Sequence, residues 1–147
     1  MTLTEQLNDA MKAAMKARDN LRLSAVRMVR SAIKNREIET RTELDDRAVI
    51  DVISTMAKQR RESIRMYREG DRPELAEKEE SELAILLEFL PVQLSGAEID
   101  TIILQIIRDI DAHGAKDMGR VMKAVTPLTA GKADGRIVSD AVRKLLA

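Results

Sequence analysis

Few side chains in this sequence are of the kinds that carry out covalent chemistry. Cysteine is absent and histidine occurs once, at His113. Without thiols there is neither a disulfide scaffold nor a thiolate zinc site. A lone imidazole has no second one with which to build a metal cluster or proton relay. Gly131-Lys132 resembles the end of a phosphate-binding loop, yet Thr126 stands where the first glycine belongs and Ala133 replaces the closing Ser or Thr. No G-x-S-x-G elbow, H-E-x-x-H pair or Gly/Ser-rich amidase segment occurs. Glu74, Glu77, Glu79, Glu80 and Glu82 crowd the start of one helical pattern. Carboxylates are favoured there by the helix dipole, so they read as a solvated face rather than a catalytic pair. His113, just before Gly114, reads as a helix C-terminal residue. The expectation is no catalytic residue, no cofactor and no metal.

Basic stripes are the stronger signal. Between residues 12 and 36, eight cations face only Asp19. Among them, Arg27, Arg30 and Lys34 fall on one helical face, as do Arg61, Arg65, Arg68 and Arg72 further along. A second cluster holds Lys116, Arg120, Lys123, Lys132 and Arg136. Such faces suit phosphates, and these eight (Arg27, Arg30, Lys34 and the 116–136 cluster) are the candidate RNA contacts. The competing reading is internal pairing, with the acidic 74–88 segment set against the 61–72 stripe. Gly119 lies inside a helical pattern, where it costs about 1 kcal/mol relative to alanine. Close approach of another backbone or a ligand would account for it. Gly131 and Gly135 flank Lys132-Ala133-Asp134 and suit a tight turn into a last helix, whose free N–H groups could hold an anion.

Composition narrows the classes further. The 147 residues carry 25 basic and 25 acidic side chains, so bulk polycation binding is excluded. Tyr67 and Phe89 are the only aromatics, too few for a base-stacking platform. The apolar runs at 83–90 and 101–107 are far shorter than the roughly 20 residues that span a bilayer. The opening MTLTEQLNDAMKAAMKARDN has charges from Glu5 onward and no apolar h-region. A soluble, cytoplasmic protein with no membrane partner is expected.

The elements that must position these residues are helices. Apolar residues recur at three- and four-residue spacing almost throughout, and no alternation is long enough for a strand. Thr2 with Glu5 has capping-box spacing, and Leu3, Leu7, Ala10, Met11, Ala14 and Met15 make one stripe. After a break at Asp19-Asn20, a second helix carries Leu23, Val26, Val29 and Ile33. Asp45 caps a third, with Gly70 as its left-handed stop. Pro73 opens a fourth, which Pro91 terminates. Ser95 and Glu98 box a fifth that runs to His113-Gly114. A sixth spans about Asp117 to Val125, closed by Pro127. The last starts near Asp134 and buries Ile137, Val138, Ala141, Val142 and Leu145 or Leu146. The expected fold is all-α: residues 1–90 form an N-terminal helical bundle or hairpin of about four helices, and 91–147 a compact three-helix domain.

Three separated blocks then resemble a stand-alone member of the GatB/YqeY family: AMKARDNLRLSAVRMVRSAIKN (14–35), KQRRESIRMYREGDRPELAEKEESELAILLEFLP (58–91) and DMGRVMKAVTPLTAGKADGRIVSDAVRKLL (117–146). The resemblance covers essentially the whole chain. It implies an all-helical protein whose C-terminal part is similar to the tail domain of the B subunit of glutamine-dependent tRNA amidotransferase, a domain that helps hold tRNA. The residues carried over are Asp117, Met118, Gly119, Arg120, Met122, Lys123, Gly131, Asp134, Gly135 and Arg136. The last stands where the family commonly has lysine, preserving the charge.

The resulting expectation is a tRNA- or RNA-binding accessory protein of translation, without its own active site. Few aromatics favour folded RNA recognised by shape and backbone. The alternatives are a component or relative of a carbon–nitrogen ligase with glutamine as amido-N-donor, docking to an amidotransferase or other protein subunit, and a helical protein-interaction module.

Overall fold

A computed structural model describes residues 1–147, and the chain is all-α, with seven α-helices and no strand. It divides into two compact units, Met1–Pro91 and Val92–Ala147.

Unit 1 holds α1 (Leu3–Ala17), α2 (Asn20–Thr40), α3 (Asp46–Glu69) and α4 (Pro73–Leu87). The starts follow side-chain chemistry. Thr2 Oγ1 accepts the Glu5 N–H at 3.1 Å, and the Glu5 carboxylate accepts the Thr2 N–H at 3.3 Å. Asp19 and Asp45 cap α2 and α3 by accepting from the N–H groups of Arg22 and Ala48. Leu7, Val26, Val29, Val49, Ile53 and Leu86 form the core, with Phe89 against its edge. Met15 departs from the expected stripe and is 51% exposed, because Ala14 takes the inward position in that turn.

Helix ends obey a rule that glycine-spotting misses. Gly70 has φ −86° and is not the left-handed residue; Asp71, at φ 56°, is. The Arg72 N–H bonds to the Tyr67 carbonyl and the Asp71 N–H to that of Arg68, a Schellman arrangement. Arg18, Arg41 and Asp111 take the same left-handed position after α1, α2 and α5. Helix α4 ends at Leu87, ahead of Pro91, with Glu88, Phe89 and Leu90 continuing as i→i−3 turns.

Unit 2 holds α5 (Gly96–Asp109), a 3-10 turn (Ala115–Asp117), α6 (Met118–Thr129) and α7 (Gly135–Leu146). Ile99, Ile103, Val121, Val125, Val138 and Val142 form its core. Helix α5 stops at Asp109 rather than at His113-Gly114, because Asp111 at φ 50° turns the chain first. Pro127 lies inside α6 and does not close it. The Ala130 N–H still bonds to Thr126, and buried Val125 and Thr129 hold the last turn against the core. Proline removes only the bond to the Lys123 carbonyl, at an exposed position. Ile137, expected inside, is 53% exposed, since Val138 takes the inward register with Val142 and Leu146.

No helix is long and apolar enough to cross a membrane.

Candidate nucleic-acid interface

The 116–136 cluster is built around α6. Asp117 closes the 3-10 turn and anchors both its neighbours. One carboxylate oxygen accepts the His113 N–H at 2.7 Å, and the other accepts from Arg120 Nη1 at 3.1 Å. Arg120 Nη2 donates in turn to the carbonyl oxygen of Ile110 at 2.9 Å. The Asp117 carboxyl is held below its ordinary range, chiefly by the His113 N–H and further by Arg120. Both residues therefore lock the α5–α6 connection, and Arg120 differs from the other four cations of its cluster. Spacing offered a signal for this, since Asp117 and Arg120 are an i, i+3 pair.

Lys116, Lys123, Lys132 and Arg136 are exposed and make no ion pair, although the charge of Lys116 adds to the hold on the neighbouring Asp117 carboxylate. The structure strings them out instead of gathering them at one point. Lys116 precedes the first turn of α6 while Lys132 and Arg136 follow its last, and twelve residues make α6 about 18 Å long. The Lys132 backbone is fixed twice, its N–H to Thr129 at 2.9 Å and its carbonyl from the Leu94 N–H at 2.8 Å. Gln93 Nε2 donates to the Gly131 carbonyl at 2.9 Å. Gln93 and Leu94, which the sequence reading missed, thus present the lysine from a braced loop. Only tertiary contact reveals them.

The motif residues take distinct parts. Gly131 adopts φ 74°, a left-handed position that favours glycine. Gly135 does not share in that turn; it begins α7, and Asp134 caps the helix by accepting the Arg136 N–H at 3.1 Å. Gly119 is exposed, and a Cβ built on it meets nothing within 4 Å. No backbone of this chain requires its glycine. His113 is exposed, with Nε2 2.9 Å from the Asp111 carboxylate, in a loop beyond the helix end.

In unit 1 the two stripes part company. On α3, Arg68 pairs with Glu80 and Arg65 with Glu69 at 3.2 Å. Arg60 lies 3.4 Å from Glu79 and 3.1 Å from Glu82, all three largely buried. Arg22 reaches Glu88 at 2.6 Å. The acidic 74–88 segment is thus engaged with cations of α3 and α2. By contrast Arg27, Arg30 and Lys34 are exposed on α2 and have no carboxylate partner. They line a groove of about 520 Å³ beside α1.

The chain is all-helical; Glu69, Glu79, Glu80, Glu82 and Glu88 pair with arginines of unit 1, while Arg27, Arg30 and Lys34 on α2 and Lys123, Lys132 and Arg136 in unit 2 make no ion pair. More particularly, the chain belongs to the family described as Yqey-like protein, which it matches over residues 4–146. It is similar to a protein of Kluyveromyces lactis, 39% identical over 108 residues covering 71% of this chain and 58% of the relative. A relative in Vanderwaltozyma polyspora is 36% identical over 124 residues, 81% of this chain and 66% of that one. A third, in Eremothecium gossypii, is 32% identical over 146 residues, 96% of this chain and 79% of its own. All three are named altered inheritance of mitochondria protein 41, mitochondrial. The chain spans about three fifths of the first of these relatives. Their names correct the expectation of a generic cytoplasmic setting, pointing for these relatives to the mitochondrion.

Proposed function

We propose that this chain is an accessory protein that binds folded RNA, of which tRNA is the prime candidate, through unit 2. The observation that carries this reading is the exposure of Lys116, Lys123, Lys132 and Arg136 along α6 and the turn into α7, none of them held in an ion pair. Exposed cations left unpaired in a chain of zero formal charge are available to displace counterions from a phosphate backbone. Their spread over about 18 Å suits several phosphates of one duplex rather than a single small anion. Resemblance to the tRNA-holding tail domain supports the same choice. Arg120 is left out of the contact set, because its guanidinium is committed to Asp117 and Ile110.

The test is binding of bulk tRNA across a salt series, with the chain beside its Lys116→Glu, Lys123→Glu, Lys132→Glu triple variant. Each phosphate contact contributes about −0.9 to the slope of log K against log salt, so four contacts give about −3.6. Loss of binding in a variant with unchanged circular dichroism supports the reading. Undiminished binding by the variant, or none by the parent at low salt, overturns it.

A further inference from the structure

Helix α2 carries apolar residues on two opposite faces. One face, with Ala25, Val26, Val29 and Ile33, is buried in the core of unit 1. The other holds Leu21, Met28 and Ile38, which are 39%, 43% and 67% exposed. Apolar side chains scattered singly over a surface need no explanation, but these three belong to one stripe. Leu21, Ser24, Met28, Ser31, Asn35 and Ile38 follow one another at alternating steps of three and four residues, the a and d positions of a heptad repeat. The stripe runs for about 26 Å along the helix.

It is also without charge. Seven of the 21 residues of α2 are charged, and none falls on the stripe, although all six of its side chains face solvent. A helix face that meets only water is where charges are normally placed. Thr55, Ser81, Thr101 and Thr126 turn their hydroxyls onto carbonyls one turn back in their own helices. Ser24, Ser31 and Asn35 make no such bond and keep their donors free. Four stripe residues line a groove of about 680 Å³, which Met56 and Gln59 of α3 line as well.

Charge complementarity names the occupant. In a parallel pair of heptad helices, a residue at g meets the e position of the following heptad on its partner. Lys34 stands at g and Glu39 at the following e, both exposed and neither held in an ion pair within the chain. A second copy in register therefore brings Glu39 to Lys34 and Lys34 to Glu39. The other flanking pair on α2, Arg27 with Ala32, sets no charge against another. The antiparallel orientation would place Arg27 beside Lys34, cation against cation. In the parallel register Met28 packs on Met28, and Asn35 meets Asn35 at an a position, where a paired amide specifies register and strand number.

We infer that the outward face of α2 is a homodimer interface, in which two copies of this chain pair their α2 helices in parallel through this stripe, with Lys34 of each copy against Glu39 of the other. Half of the stripe is polar, so the association is reversible and concentration-dependent.

Sedimentation equilibrium of the full chain, freed of nucleic acid, over a concentration series measures the dimer. The expected result is a monomer–dimer equilibrium that Met28→Glu weakens about tenfold or more, with unchanged circular dichroism because Met28 is exposed. Glu39→Lys should weaken it several-fold, and the double exchange Lys34→Glu with Glu39→Lys should restore it. Orientation is read by cross-linking. The chain has no cysteine, so Ser31→Cys introduces a single thiol. In the parallel pair that thiol meets its own copy and oxidises to a disulfide-linked dimer in glutathione buffer, whereas the thiol of Ser81→Cys, exposed on α4, does not. A chain that stays monomeric up to about 1 mM overturns the inference. So does a dimer indifferent to Met28→Glu, a double exchange that fails to restore association, or a Ser31→Cys chain that cross-links no faster than Ser81→Cys.

Discussion

Arg120 reaches back ten residues to donate a hydrogen bond to the Ile110 carbonyl oxygen at 2.9 Å, beside the left-handed turn that ends α5. The same guanidinium holds Asp117, so one side chain ties the end of one helix to the start of the next. Removing it leaves a free helix-end carbonyl and a carboxylate with one fewer donor. Arg120→Ala should destabilise unit 2 by about 1 kcal/mol, discounted from a buried charged bond because the side chain is mostly exposed. Amide exchange at Ala112 and His113 should quicken, while tRNA affinity should fall less than in Lys123→Glu.

Acid should open the same corner. Folding holds the Asp117 carboxyl below its ordinary value of 3.8, first through the His113 N–H and then through Arg120. A depressed folded pKa means that the contribution is complete above the unfolded value and is lost as pH falls through the folded one. Exchange protection at His113 should therefore hold from neutrality to about pH 4 and decay below it. In Asp117→Asn the protection should start lower and lose this pH dependence. An unchanged profile in the variant would refute the assignment.

Gly119 offers a separation of stability from binding. An added Cβ meets nothing within 4 Å, and the residue sits in the first turn of α6. Gly119→Ala should thus stabilise unit 2 by about 0.5–1 kcal/mol, through helix propensity and a restricted unfolded chain. If RNA backbone packs on the bare Cα, tRNA affinity should drop in the same variant. Thermal melts and the salt-series binding assay read the two effects independently.

Arg60 and Arg65 are five residues apart on α3 and should behave differently. Arg60 and its partners Glu79 and Glu82 retain 18%, 17% and 14% of side-chain exposure, while Arg65 and Glu69 retain 47% and 66%. Arg60→Met strands two largely buried carboxylates and should cost about 1–3 kcal/mol. Arg65→Met should stay within about 0.5 kcal/mol. Urea titration followed by the fluorescence of Tyr67, the only tyrosine and itself on α3, measures both.

The sequence by itself determined the helical class, most helix starts and the apolar faces. Those features are local: Thr2 with Glu5 and Ser95 with Glu98 meet within one turn, and a 3.6-residue period fixes which apolar side chains share a face. It placed the stop of α3 at Gly70 but the left-handed turn one residue early, and it misplaced the end of α5, because Asp71 and Asp111 take the left-handed strain that glycine would avoid. It also misjudged Pro127, whose turn is held by the burial of Val125 and Thr129 on either side. What only the tertiary structure decided is which charges are spent. Arg68 and Lys34 look alike as stripes on a helix, and Arg120 and Lys123 look alike within one motif. Packing brought Glu80 to Arg68 and the Ile110 carbonyl to Arg120, and brought no carboxylate to Lys34 or Lys123. Ion pairing acts over a few ångströms, so the free charge of a surface emerges only once distant segments have been set side by side.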